Sequence, residues 1–239
     1  MRLTILGMNG PFPAPGGATS GYFLSAGATE IALDLGSGTL ARLTALTPPE
    51  KLSALLLTHW HYDHCSDLLP LIFRLAACAE EPLNIYAPVD ENCLVRQAMQ
   101  KSGVAVLHDV HPGDAFTVGD VQVQVFAARH PVPAVMYRLT QGSKTLCYTG
   151  DTNTVEGLTD FARGADLLLA DGLFTEDTWA EGKPHLSASL AARAAREAGV
   201  GRLVITHLNP CIDPDTLLRE ARVHRSDAVL AACGDAYEL

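Results

Sequence analysis

What this chain lacks narrows its function before any motif is considered. No apolar run reaches the length needed to span a bilayer, so no membrane-crossing helix is expected. No basic run or stripe is present either: 17 Lys and Arg stand against 27 Asp and Glu, a formal charge of −10. Long polyanions such as RNA bind by neutralising many phosphates with Lys and Arg, so RNA is a disfavoured partner. The six cysteines (Cys65, Cys78, Cys93, Cys147, Cys211 and Cys233) include no Cys-x-x-Cys pair, which argues for reduced thiols. The opening Met1-Arg-Leu-Thr-Ile-Leu-Gly7 reads as a strand without the apolar core and cleavage site of an export signal. A cytoplasmic location is therefore expected. Linkers, low-complexity segments and multi-copy repeats are also missing, and 239 residues with 48% hydrophobic content suit a single domain over 1–239.

What is there centres on Leu55-Leu-Leu-Thr-His-Trp-His-Tyr-Asp-His64. The apolar half reads as a buried strand ending at Thr58, and His59 to His64 read as the turn leaving its carboxyl end. Imidazoles at i and i+2 do not share a helical face, but in an extended or tightly turned backbone they project to one side and can bind one ion. Asp63 and His64 then fall to the other side. A lone histidine in such a place is most often a solvated turn residue; three His and one Asp in six positions point instead to two metal ions. Zinc is the commonest ion for imidazole-rich sites, with Mn2+ or Fe2+ as substitutes.

Other apolar runs end in similar chemistry. Ile31-Ala-Leu-Asp34 precedes a Gly-Ser-Gly turn, where Asp is commonly a turn or cap residue. Asn9 to Gly17 is dense in Gly and Pro and reads as a loop bordering the site. A helix is expected over 39–46 and again over 67–79, then a strand at 83–87, a helix over 90–102 and a strand at 105–110. Residues 115–118, 121–126, 133–140 and 144–149 read as antiparallel strands. His130-Pro leaves this meander after 126, and Cys147-Tyr-Thr-Gly-Asp151 ends it. Residues 155–163 read as a helix and 166–170 as a buried strand ending at Asp171. His185 stands just before a helix over 190–198, with Ser187 as its N-cap and Gly199 as its stop. Val-Ile-Thr-His207 repeats Leu-Leu-Thr-His59, an echo that fits two similar halves meeting at one edge. A helix over 214–225 and a strand over 228–232 complete the chain. Order alone gives an α/β protein.

His-x-His-x-Asp-His behind a strand resembles the metallo-β-lactamase-fold hydrolases, and the likeness covers essentially the whole chain. It implies an αββα sandwich of two mixed β-sheets with helices on both outer faces. It also implies a ligand set in which His59, His61 and His130 hold one zinc, Asp63, His64 and His207 the other, and Asp151 bridges the two. Asp34 then supports the ligands by hydrogen bonding, as an aspartate in this position usually does in that family. Such a set implies hydrolysis by a metal-bound hydroxide, with Asp63 among the catalytic groups as well as the ligands. The stretch from His185 to His207 resembles the ribonuclease Z and phosphodiesterase branch, where a histidine before the last ligand assists cleavage. An acidic residue pairs with it there; Asp171 stands where that branch often has Glu, a departure that shortens the side chain. His185 as catalytic acid with Asp171 as its partner is the resulting expectation. The stretch from His130 to Asp151 is too short for the tRNA-gripping arm of ribonuclease Z proteins. A small phosphodiester, a cyclic nucleotide among the candidates, is the expected substrate. A tRNA 3′-processing nuclease, and a lactonase, thioesterase or β-lactamase, are the alternatives. A homodimer is compatible with the sequence.

Overall fold

Val121, Val123 and Val125 are buried while Gln122 and Gln124 are exposed, the two-residue period of a strand with one face on the core. The computed structural model describes residues 1–239. Its first sheet takes β1 (Arg2–Gly7), β2 (Gly21–Ala26), β3 (Thr29–Leu35), β4 (Ala54–Leu56), β5 (Leu83–Ala87) and β6 (Ala105–Asp109). The second takes β7 (Ala115–Val118), β8 (Val121–Ala127), β9 (Val135–Gln141), β10 (Lys144–Tyr148), β11 (Leu167–Asp171), β12 (Arg202–Thr206) and β13 (Val229–Leu230), and β14 (Ala236–Glu238) returns to the first. The seven α-helices are α1 (Thr39–Leu43), α2 (Tyr62–Cys65), α3 (Leu68–Cys78), α4 (Leu94–Ser102), α5 (Leu158–Ala162), α6 (Ala188–Glu197) and α7 (Pro214–His224).

The two seven-stranded sheets have the same plan. The first runs β14-β1-β2-β3-β4-β5-β6 and the second β7-β8-β9-β10-β11-β12-β13. In each, three antiparallel pairings precede three parallel ones. Parallel neighbours need crossovers, and these carry α1, α3 and α4 on one side and α5, α6 and α7 on the other. Between the sheets lies one core, with Leu3, Tyr22, Leu33, Val123, Tyr137 and Leu169. Leu55, Leu68, Leu71 and Met99 pack the helices onto the outer face of the first sheet; Phe161, Ala192, Leu203 and Leu217 do so on the second. The chain is thus the expected αββα sandwich. No helix is long and apolar enough to cross a membrane, and all six cysteines are free thiols.

Several local expectations are corrected. The turn after Thr58 ends in a helical turn, α2, so Asp63 and His64 lie on a short helix rather than in an irregular loop. α4 begins at Leu94, because Asp90 accepts the Asn92 backbone N–H at 3.0 Å and its carbonyl takes that of Cys93, turning the chain before the helix starts. The strand expected at 133–140 starts at Val135, after Pro131 and Pro133, and α1 and α5 are shorter than expected. The final strand shrinks to Val229–Leu230. β14, three residues without a readable period, was not expected at all; its register on β1 supplies what its sequence does not. The two similar halves that the Thr-His echo suggests are present, although the echo itself does not fall on equivalent strands: β4 is fifth in the order of its sheet and β12 sixth in the matching order of the other. Ser187 caps α6 as expected, accepting the Leu190 N–H at 3.2 Å.

Candidate metal centre

All the expected site residues except His185, which the start of α6 brings in, sit at or soon after a strand's carboxyl end, where the two sheets meet. Asp34 lies in β3, His59 and His61 follow β4, Asp63 and His64 lie in α2, and His130 follows β8. Asp151 follows β10, Asp171 ends β11, His185 precedes α6 and His207 follows β12. Close packing at this edge needs glycine. A Cβ on Gly10 would lie 2.1 Å from the His207 ring, which places the 9–17 loop against the site. Gly150, with φ +53°, would put a Cβ 2.7 Å from Thr58, so the turn into Asp151 can lean on the strand that carries His59. Asp34 (φ 54°) and His207 (φ 57°) themselves adopt the left-handed region that non-glycine residues avoid. Such strain is tolerated where surrounding bonds over-determine it, often at functional sites.

Seven of these side chains form two donor sets. His59, His61, His130 and Asp151 bring one nitrogen or oxygen each within 4.8 Å of one another, and Asp63, His64, Asp151 and His207 do the same. Asp151 belongs to both: its Oδ2 is 3.5 Å from His59 Nε2, and its Oδ1 is 3.1 Å from His64 Nε2 and 3.2 Å from His207 Nδ1. His61 Nδ1 and His130 Nε2 face each other at 3.0 Å.

The chemistry of these donors fits cations. Ten buried side-chain polar atoms lack a hydrogen-bond partner, and five of them are here: His59 Nε2, Asp63 Oδ2, His64 Nε2, Asp151 Oδ1 and His207 Nε2. Orphaned buried polar atoms are costly, so their convergence on one spot calls for an ion. Burial pushes His59 and His207 well below the ordinary imidazole range and His130 down to about 4, leaving neutral rings with free lone pairs. Burial also raises Asp63 to about 6. Asp151 goes the other way: burial would raise it, but its interactions with the surrounding His207, His64 and His59 rings outweigh that and hold it well below the usual carboxylate range. His64, which burial alone would depress, is held well above the imidazole range by Asp151, Asp63 and Asp34. A field that favours a proton there favours a divalent cation in its place.

The other nitrogen of most of these donor histidines is pinned. Asp34, fully buried, accepts His64 Nδ1–H (2.8 Å), the Tyr148 hydroxyl (2.6 Å), and the Thr58 hydroxyl and N–H (2.9 and 2.7 Å). Thr58 Oγ1 also lies 3.1 Å from His59 Nδ1. Ser20 Oγ is 3.1 Å from His207 Nδ1, and the Pro184 carbonyl is 3.1 Å from His130 Nδ1. Partners of this kind set tautomer and ring orientation. Thr58, Tyr148, Ser20 and Pro184 were not read as site residues from sequence; only Thr58, as the residue before a ligand, carried any signal.

The structure also brings His185 and Asp171 together. His185 Nδ1 is 2.8 Å from Asp171 Oδ2, so the short aspartate does reach the ring. Asp171 is held in turn by the N–H groups of Thr152 and Leu173, each at 3.1 Å. His185 stacks on His207 at 4.9 Å between centroids and lies 5.3 Å from His130. Burial would lower this imidazole, but the Asp171 charge and hydrogen bond outweigh it and raise it to about 9, an imidazolium at neutral pH. Beside the centre, a groove of about 460 Å³ runs along His130, Val132 and Pro88, and one of about 280 Å³ along His61, Tyr62 and Asp90. A larger one, about 480 Å³, lies elsewhere, along Arg2, Phe23 and Arg42, and contains none of these groups.

Comparison with known proteins gives one consistent answer. Residues 30–208 match the beta-lactamase superfamily domain. The chain is similar to the probable metallo-hydrolase YhfI of Bacillus subtilis, with 32% identity over 247 residues covering 100% of both proteins. The crystal structure of YhfI, described as a metallo-beta-lactamase fold protein, matches with a TM-score of 0.92, covering 100% of this chain and 98% of that one. A ribonuclease Z of Methanopyrus kandleri is 28% identical, over 92% of this chain and 91% of its own length. The human short-form tRNase Z, 21% identical, shares the fold with a TM-score of 0.82 over 100% of this chain and 99% of its own.

Proposed function

The chain belongs to the beta-lactamase superfamily domain family, and from that premise we propose that it is a dinuclear zinc phosphodiesterase acting on a small phosphodiester. That it is a metal-dependent hydrolase follows from its likeness to YhfI; the number and kind of ion, the residue roles and the substrate are the proposal. His59, His61 and His130 would hold one ion, Asp63, His64 and His207 the other, with Asp151 shared. Two such ions supply Lewis acidity and acidify water at neutral pH.

The chain's own residues do the rest. Asp34, Ser20, Thr58 and the Pro184 carbonyl orient the rings. His185 is the observation that carries the substrate class. Phosphodiester cleavage expels an alkoxide, which needs a proton; an imidazolium buried beside both donor sets and oriented by Asp171 is an acid fit to give it. The groove along His130 and Val132, polar and apolar in about equal parts, has room for one ester substituent, and a cyclic nucleotide is a candidate of the right size.

The likeness to ribonuclease Z of M. kandleri favours a second reading, tRNA 3′ processing. Against it stand the charge of −10 and the stretch between His130 and Asp151, which β9, β10 and a tight turn occupy, leaving no arm. The deciding experiment compares kcat/KM for bis-p-nitrophenyl phosphate, cyclic nucleotides, precursor tRNA, nitrocefin and a thioester. Phosphodiesters should win. Acyl substrates ahead by orders of magnitude would remove the proposal, and efficient, salt-sensitive tRNA cutting would promote the second reading.

A further inference from the structure

Asn153, two residues beyond Asp151, is fully buried and makes more hydrogen bonds than a turn residue needs. Its Nδ2 amino group faces three carbonyls of the 175–184 strap, those of Ala180 (3.1 Å), Glu181 (3.2 Å) and Lys183 (2.5 Å). Its Oδ1 accepts the Trp179 indole N–H at 3.1 Å and the Thr154 N–H at 2.6 Å. Its backbone N–H goes to the Arg129 carbonyl at 3.0 Å, next to His130.

Three segments that carry site groups therefore meet at this one residue: the Asp151 turn to which it belongs, the Arg129–His130 corner through its backbone N–H, and, through its side chain, the strap whose end is Pro184-His185. The strap has few other anchors. Ala180, Glu181 and Gly182 are exposed, and it contributes no strand to either sheet. Yet the Pro184 carbonyl orients His130, and His185 is the next residue.

We infer that Asn153 is a positioning residue: by holding the carbonyls of 180–183 it sets the Pro184 oxygen against His130 and the His185 ring over the centre. Only a primary amide suits the place, because it must donate to the strap carbonyls while accepting from Trp179. Aspartate has the same shape but no donor, and would set a negative charge against three carbonyl oxygens.

The metal part of the test rests on the two-ion reading above; the rest does not. Asn153→Asp and Asn153→Ala are compared with the unaltered protein by zinc competition titration and by acrylamide quenching of tryptophan. The chain has two tryptophans, and Trp60 is 3% exposed, so a change in quenching reports Trp179. Both variants should keep one ion as tightly as the unaltered protein and hold the other about 10- to 100-fold more weakly, the usual effect of losing a ligand's orienting partner. Trp179 should become more accessible, and kcat should fall more than KM rises, more for alkyl than for p-nitrophenyl diesters. Asn153→Ala places no charge and keeps the test open if the aspartate variant does not fold. Folded variants with lowered Tm but unchanged zinc affinities and quenching would overturn the inference and leave Asn153 a plain loop anchor. Uptake of only one ion by the unaltered protein would sink the two-ion reading; quenching and that ion's affinity would then decide the role of Asn153.

Discussion

The two donor sets share Asp151 but are held differently. His64 and His207 are 0% and 1% exposed, and their free nitrogens are pinned by Asp34 and Ser20, both fully buried and attached to the first sheet. His61 and His130 are only partly buried, and the partner of His130 is a carbonyl on a strap outside both sheets. A ligand is only as rigid as what orients it, so the inner set is preorganised by the sandwich, whereas the outer set, His59 apart, depends on a loop. On the two-ion proposal the inner ion would be a fixture, whereas the outer one would border the grooves along His130 and His61.

The largest effect should follow from breaking what the sets share. Asp151→Ala removes the one carboxylate common to both, and turnover should fall by more than about 10³-fold, with elemental analysis showing no more than one zinc per chain. A variant that keeps two ions and its rate would show that the sets are independent. His185→Ala sharpens the comparison from the catalytic side. Loss of a general acid costs about 10²–10⁴-fold on alkyl or ribose leaving groups and little on p-nitrophenolate, with zinc content unchanged. Because Asp171 raises His185 to about 9, the acid form is present below that pH and lost above it. The unaltered enzyme should lose alkyl-ester turnover as pH rises past about 9, and the variant should lack that limb. Equal losses on both ester types would argue for positioning instead.

Rigidity can be tested directly. Under dialysis against a chelator the outer ion should leave first, at least about tenfold faster, and Asp34→Asn should narrow the gap by loosening the inner set. Simultaneous loss of both ions would erase the distinction. The smallest effect is expected at Asp166, at the opposite end of β11 from Asp171. It accepts Lys144 Nζ at 2.9 Å and the Thr145 N–H at 2.8 Å, and these outweigh its partial burial and lower its carboxyl. Asp166→Asn should cost about 0.5–1 kcal/mol at neutral pH, discounted because the Lys144 side chain is nearly half exposed, and leave zinc content untouched. A depressed carboxyl stabilises the fold above its ordinary range, so the difference between variant and parent should begin to shrink as pH falls through that range and vanish only below the lowered carboxyl. A melt series from pH 7 to pH 3 checks it.

Much of the chemistry was legible in the chain because it is local. A strand's apolar run, the glycine or proline that ends it, and the His or Asp just beyond are neighbours in sequence, so the ligand candidates from His59 to His207 could be named with no knowledge of what they face. The family resemblance then grouped them. The two-residue period of Val121 to Val125 and the cap at Ser187 are likewise short-range, and those elements stand where they were expected.

What the chain could not disclose depends on contacts between residues far apart along it. The four bonds into Asp34 come from Thr58, His64 and Tyr148, and the last lies in the other sheet, 114 residues away. β14 exists because β1 offers it an edge, not because three residues favour a strand. The Thr-His echo looked like a sign of internal symmetry, but strand order, which is a property of the assembled sheets, puts the two copies in different places. Whether Asp171 was long enough to reach His185 turned on how far apart β11 and the start of α6 come to rest, and packing brought them to 2.8 Å. Residue type and local period determined which groups are available at the edge of the sandwich. The closure of one sheet on the other decided which of them meet, which are dry, and which depend on a strap, because burial and long-range hydrogen bonds exist only once both halves are in place.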